Sequence, residues 1–357
     1  MADLLNDIEW GEPVVQPLPD ADWEAQVKAS LGSVPGYLLR VSPVPWLRET
    51  LRDWDRIPVV ETPQRLMDIA KLVTAQENAC RYCYGATRAT MRFFGYPEKL
   101  IMQIERDVQL ADLDQADRAF VRFCRNLARS KPRPARAERD PLVELGYSPR
   151  AVAEFAFVTA ASCFYNRAAT FMALPPEYGF EKMSGNLLGR LLRPIIARKL
   201  RSVPPLTVEQ PAAPPAEFGG VVAALADLPA GAVLAHTLAD AFASPVLSQD
   251  LKMLMFAVVA RQLDCRFCQA ETHNRLQGMG YASDEVDACL ATLTSPRLTR
   301  QEVAILNWTR ETVHFETGAI QKQTRALAEQ VRNEELLEAI GVAALANSVV
   351  RLAMLLE

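Results

Sequence analysis

Apolar residues recur three and four positions apart along most of this chain, a spacing that lays them on one face of an α-helix rather than on one side of a strand. In 64–77 the stripe is Leu66, Ile69, Leu72 and Val73, and in 249–262 it is Leu251, Leu254 and Val258. Glycine supplies only 16 of 357 residues, about 4.5% against a usual ~7%. The pattern predicts an all-α protein.

The two stripes also share a register. Leu66 and Leu251 stand 185 residues apart, and the same interval separates Cys80 from Cys265, Cys83 from Cys268, Gly95-Tyr96 from Gly280-Tyr281 and Leu113 from Leu298. Six of the seventeen positions in 80–96 are identical to their counterparts in 265–281, where chance gives about one in seventeen. Asn166 answers Asn347 if four residues are lost in between, a deletion expected in the Pro-rich and charged stretch 131–141. The chain is thus read as an N-terminal arm (1–21), a helical unit (22–185), a basic helix with a Pro-rich linker (186–215) and a second helical unit (216–357).

Length agrees with two cores, since 357 residues exceed the usual single-domain size. Half of the residues are hydrophobic and the net charge is only −4, so the chain has the composition of a globular protein and no electrostatic footprint for nucleic acid. The N-terminal residues carry acids and no apolar run of the secretory kind, and the apolar stretches are broken by charge short of a membrane span. A cytoplasmic protein without a transmembrane segment is expected. Seven Cys, an odd number, argue against a structural disulfide framework and for redox or metal use of some.

The chemistry lies in CRYC at 80–83 and CRFC at 265–268. Residues three apart on a helix have Cβ atoms about 5–6 Å from each other, close enough for a reversible disulfide. Asn78 and Asp264 are placed to cap helices that run to Gly95 and Gly280, and a helix N-terminus together with Arg81 or Arg266 would favour a thiolate. The alternatives are buried packing residues, or a zinc site using Cys265, Cys268 and His273. No Gly-rich phosphate loop is present, so no cofactor is implied.

With a Gly at the twelfth position after the second Cys in each half, the runs 62–96 and 247–281 resemble the carboxymuconolactone decarboxylase and alkylhydroperoxidase AhpD-like superfamily. The resemblance implies two tandem AhpD-like helical units about a pseudo-twofold axis, assembling into a homo-oligomer. In the redox branch the motif reads Glu, eleven residues, Cys, two residues, Cys, three residues, His. Carried over, Cys83 and Cys268 attack the peroxide, and Cys80 and Cys265 resolve the disulfide. The family's Glu falls on Asp68 and Met253, and its His on Thr87 and Thr272, so neither proton relay is intact. His273 is the one histidine in either motif and marks the second half as the better candidate for turnover.

The implied function is a cofactor-free thiol peroxidase acting on a peroxide or other small molecule and re-reduced by a thiol protein. A decarboxylase-like lyase or isomerase on a small carbonyl acid, and a duplicated scaffold without chemistry, are the alternatives. Cys124, Cys163 and Cys289 read as packing residues and His236 and His314 as structural. The stretch 185–202 alternates Leu and Ile with Arg and Lys and is interrupted by Pro194; packing over the repeat junction or a subunit contact is expected of it, with membrane association the other use of such a face.

Overall fold

The computed structural model describes residues 10–106, 113–211 and 215–355. Residues 1–9 of the expected arm and 212–214 of the expected linker lie outside the described residues. The first half contains α1 (Ala21–Leu31), α2 (Pro45–Asp53), α3 (Gln64–Glu77), α4 (Arg81–Phe94), α5 (Glu98–Arg106), α6 (Gln115–Ala128), α7 (Asp140–Glu144), α8 (Pro149–Phe171), α9 (Tyr178–Gly185) and α10 (Leu187–Arg201). The second contains α11 (Gly219–Ala223), α12 (Pro229–Ala243), α13 (Gln249–Gln262), α14 (Arg266–Gly278), α15 (Ser283–Thr292), α16 (Arg300–Glu311), α17 (Thr317–Ala328) and α18 (Asn333–Ala353). The fold is all-α.

The halves repeat element by element. Helices α3, α4, α5 and α6 begin at 64, 81, 98 and 115, and α13, α14, α15 and α16 begin 185 residues later at 249, 266, 283 and 300. The matching of Asn166 to Asn347 is corrected. Helices α8 and α18 begin at 149 and 333, 184 residues apart. Their buried carboxylates share that interval and a task. Glu154 accepts from the backbone N–H of Val60, Glu61 and Thr62, each at 2.7 Å, while Glu338 accepts from Ser244 Oγ at 2.6 Å and Leu247 N at 3.4 Å. Each clamps the loop that enters α3 or α13. Arg167 and Arg351, both fully buried, keep the same interval. One residue is lost between the repeats, not four, and Asn166 therefore corresponds to Val350 and Tyr165 to Val349.

The central layer is α8 against α18, flanked by α3 and α6 on one side and α13 and α16 on the other. By length and composition α18 could cross a membrane, but that window is 100% buried within the protein, so it is a core helix. Contacts between the halves are reciprocal, as a twofold relation requires. The carbonyl of Ala79 accepts from Thr317 Oγ1 at 3.0 Å, and the carbonyl of Asp264, its counterpart, accepts from Arg133 at 2.6 Å. Helix α2 packs on α12, and Trp46 Nε1 donates to Glu338 at 3.2 Å. The linker lies along the first half, Leu206 N donating to Arg56 O at 2.8 Å.

Candidate active site

Each Cys pair sits where one helix stops and the next starts. Ala79 and Asp264 adopt left-handed backbone (φ 46° and 53°), a conformation that costs a residue with a Cβ, and they turn the chain sharply out of α3 and α13. The cap assignment of the sequence reading is corrected here. Asn78 closes α3, and the N-caps of α4 and α14 are Cys80 and Cys265, whose sulphurs accept from the backbone N–H of Cys83 and Cys268 at 3.3 Å. The first of these helices ends as read, Gly95 following Phe94 with φ 94°, which no Cβ would favour.

The two sites then differ. In the first half Cys80 is buried, but Cys83 is partly exposed and lines a cavity of about 180 Å³ with Tyr37, Asp55, Lys71, Tyr82, Thr87, Tyr165 and Asn166. Lys71 Nζ donates to Asp55 at 2.9 Å, and Tyr165 accepts from Asp55 N at 3.2 Å while donating to Leu51 O at 3.0 Å. Tyr37 stands edge-on to Tyr82, ring centroids 6.1 Å apart. Behind Asn166, Asn78 Nδ2 donates to it at 3.2 Å and Arg167 donates to Asn78 Oδ1 at 2.7 Å, which fixes both amides.

Burial pushes the Cys83 thiol well above the ordinary thiol range; the neighbouring Cys80 sulphur and Asp55 act in the same direction, and a hydrogen bond to Asn166 opposes them. Burial likewise raises Tyr37, Tyr82 and Tyr165, so these hydroxyls keep their protons. For Lys71 burial works downward, but the carboxylate of Asp55 outweighs it and the ammonium is held above its usual value. The cavity thus presents a protonated cation and three phenols around one reachable sulphur.

In the second half Cys265 and Cys268 are both 0% exposed. The repeat register puts Phe256 where the first half has Lys71, and Val349 and Val350 where it has Tyr165 and Asn166. All three are buried, and Phe256 stacks between Phe218 and Phe242 at centroid distances of 4.8 and 5.4 Å. Hydrocarbon has replaced the polar lining.

Other expected site residues fall outside the cavity. Asp68 accepts from Tyr96 at 2.9 Å and from Gln64 at 2.9 Å, and burial raises its pKa. His273 lies about 140° round α14 from Cys268 by helix periodicity, and its Nε2 is 3.0 Å from Ser283 Oγ at the start of α15. The structure does not bring it to the sulphur. Arg81 does not lend its charge to Cys80 either, because Glu181 on α9 holds it at 2.7 and 2.9 Å. Among the described residues no group of three or more His, Cys, Asp and Glu is placed to hold a metal ion. Cys124, Cys163 and Cys289 are buried, and burial pushes Cys124 up to about 12 despite a hydrogen bond from Thr159.

Tyr37, Asp55, Lys71, Tyr82 and Tyr165 were not singled out as site residues from sequence. Tyr82 is flanked by the two Cys and Lys71 lies three residues past Asp68 on α3, but only the folded chain shows that they share a cavity.

No family model matches the chain, and no curated protein matches it. Solved structures similar to about half of it include three AhpD-core, peroxidase-related and debrominase proteins. An alkylhydroperoxidase AhpD core, an uncharacterized peroxidase-related protein from Ralstonia eutropha JMP134, is 20% identical, covers 49% of this chain and 98% of its own, and has a TM-score of 0.42. An uncharacterized peroxidase-related protein from Silicibacter sp. TM1040 is 21% identical, covers 47% and 91%, and scores 0.38. The debrominase Bmp8 in its apo form is 20% identical, covers 48% and 95%, and scores 0.39.

Proposed function

We propose that the protein is a cofactor-free thiol oxidoreductase whose working centre is the Cys80–Cys83 pair, reducing a peroxide and being re-reduced by a thiol protein. The reading rests on one observation above all: Cys83 is the thiol of the two CxxC motifs that reaches a polar cavity, with Cys80 buried behind it as the helix cap. The AhpD-like resemblance assigns the same roles to these positions. The chain is divided, on this reading, into units 22–185 and 216–357, with the arm and linker already described.

Cys83 gives its thiol proton to water, the thiolate attacks a peroxide oxygen, the O–O bond breaks, and Cys83 becomes a sulfenic acid while the alkoxide leaves and takes a proton back from water. Lys71, protonated and lining the same cavity, stabilises that developing charge. Cys80 then attacks the Cys83 sulphur, forming the disulfide and releasing water. A dithiol protein restores both thiols and is itself oxidised. The second pair, dry and closed, serves the fold.

The test is peroxide consumption with dithiothreitol as reductant. Cys83→Ser is expected to abolish it and Cys268→Ser to leave more than half. Retention of activity by Cys83→Ser, or its loss in Cys268→Ser alone, would overturn the assignment.

A further inference from the structure

Helix α10 packs on α4 and α9 through Leu192, Ile196 and Leu200, all partly buried. Its opposite face is bare. Leu187, Leu188, Leu191 and Ile195 are 73%, 58%, 70% and 67% exposed and fall within about 100° of one another on the helix. They make up four of the nine large hydrophobic side chains found exposed among the described residues, gathered on one short element. The helix runs unbroken through Pro194, which corrects the interruption read from the sequence; Pro194 is solvent-exposed.

Charge on this helix has one sign. Arg190, Arg193, Arg198, Lys199 and Arg201 are exposed, no acid lies in 186–202, and none of the five cations makes an ion pair among the described residues, in a chain whose net charge is −4. By helix periodicity Lys199 borders the apolar stripe on one side and Arg190 and Arg201 on the other. Arg201 is held flat over the Phe94 ring at 4.6 Å, and Arg193 lies across Gly95. On the flank of the helix turned away from the stripe, Arg92, Arg190 and Arg193 line a cavity of about 300 Å³ with Glu98, whose carboxylate is already taken by Arg88 and Arg92.

We propose that α10 is an in-plane anchor for an anionic lipid bilayer, its Leu and Ile side chains entering the acyl boundary and Arg190 and Lys199, at the two edges of the stripe, meeting the headgroup phosphates. An apolar stripe edged by Arg and Lys is the pattern that such a surface selects, because burial of hydrocarbon and attraction to acidic headgroups then act together. A second copy of the chain fits less well. A symmetric pairing through this face would set the cations of one helix against those of the other, with no acid on either helix to offset them.

The experiment is sedimentation of the full chain with vesicles of phosphatidylcholine alone and with about a third phosphatidylglycerol. Binding is expected to the mixed vesicles only, weakened by 0.5 M salt. Leu188→Ser with Leu191→Ser should cut it at least tenfold, and Arg190→Gln with Arg198→Gln should cut it while removing most of the salt dependence. These side chains are exposed, so circular dichroism and melting should not change. Failure of the wild-type chain to bind acidic vesicles, equal binding to neutral ones, or indifference to the Leu pair would overturn the proposal. So would a wild-type dimer that the Leu pair turns into a monomer, which would give the face to a second copy.

Discussion

The reactivity of Cys83 is set by burial, with the Cys80 sulphur and Asp55, which hold its proton on, against the Asn166 amide, which favours the thiolate. The sign follows directly. Below its raised pKa the thiol is protonated and inert, and above it the thiolate reacts, so alkylation of Cys83 by chloroacetamide should still be climbing beyond the ~8.5 of an ordinary thiol. Mass spectrometry of the labelled peptide reads this, and a plateau below pH 8 would contradict it. Asn166→Ala removes the one contact that pulls the pKa down and should slow labelling at a fixed pH of 8. Lys71→Met should lower peroxide turnover by about tenfold or more, the scale expected when one charge-stabilising donor is lost; unchanged turnover would show that Lys71 only partners Asp55. The Cys positions were legible in the sequence because the repeat displays them twice. Lys71 and Tyr165 were not, since matching the halves selects what they share, and these residues answer to Phe256 and Val349, while Asn166 entered only through a mistaken match to Asn347. Chemistry confined to one copy is invisible to a search for identity between copies.

The helices that lead into the motifs were legible to the residue. Periodicity predicts helix over 64–77 and 249–262, and α3 and α13 span Gln64–Glu77 and Gln249–Gln262. The turn after them was misread, because Asn78 and Asp264 have the cap-forming chemistry but the chain needs a left-handed residue before each Cys, and Asn78 is spent on Thr74 O, Asn166 and Arg167. The offset of α8 and α18 was misread for a similar reason: Asn identity outweighed the carboxylates that do equivalent work in both helices and the buried arginines that keep the same interval. Glu338 tests that equivalence. Its carboxylate meets Lys252 Nζ at 2.7 Å with both side chains essentially inaccessible, and it also holds Trp46 and Ser244. Glu338→Leu leaves Lys252 buried without its counter-charge and should cost about 3–5 kcal/mol in urea unfolding. A loss under about 1 kcal/mol would mean that the ammonium finds enough in the carbonyls of Ala241 and Ser244.

As a whole the molecule is two copies of one helical design closed on each other through α8 and α18, with one copy keeping a polar cavity beside its Cys pair and the other closed over its own. A fragment of 216–357 should therefore stay helical but self-associate, because α18 would expose the face it buries on α8; sedimentation of a stable, well-behaved monomer would contradict this. The duplication and the all-α class were legible from register and spacing. Which copy keeps an open cavity at its Cys pair was not, since His273 pointed to the second half, whereas its partner in the fold is Ser283 and the sulphur it was matched to is enclosed. That inequality is the central claim, and peptide mapping after a substoichiometric pulse of peroxide tests it most directly. A Cys80–Cys83 disulfide forming while Cys265 and Cys268 remain thiols is the result expected. Oxidation of the second pair first, or of both pairs at equal rates, would contradict it.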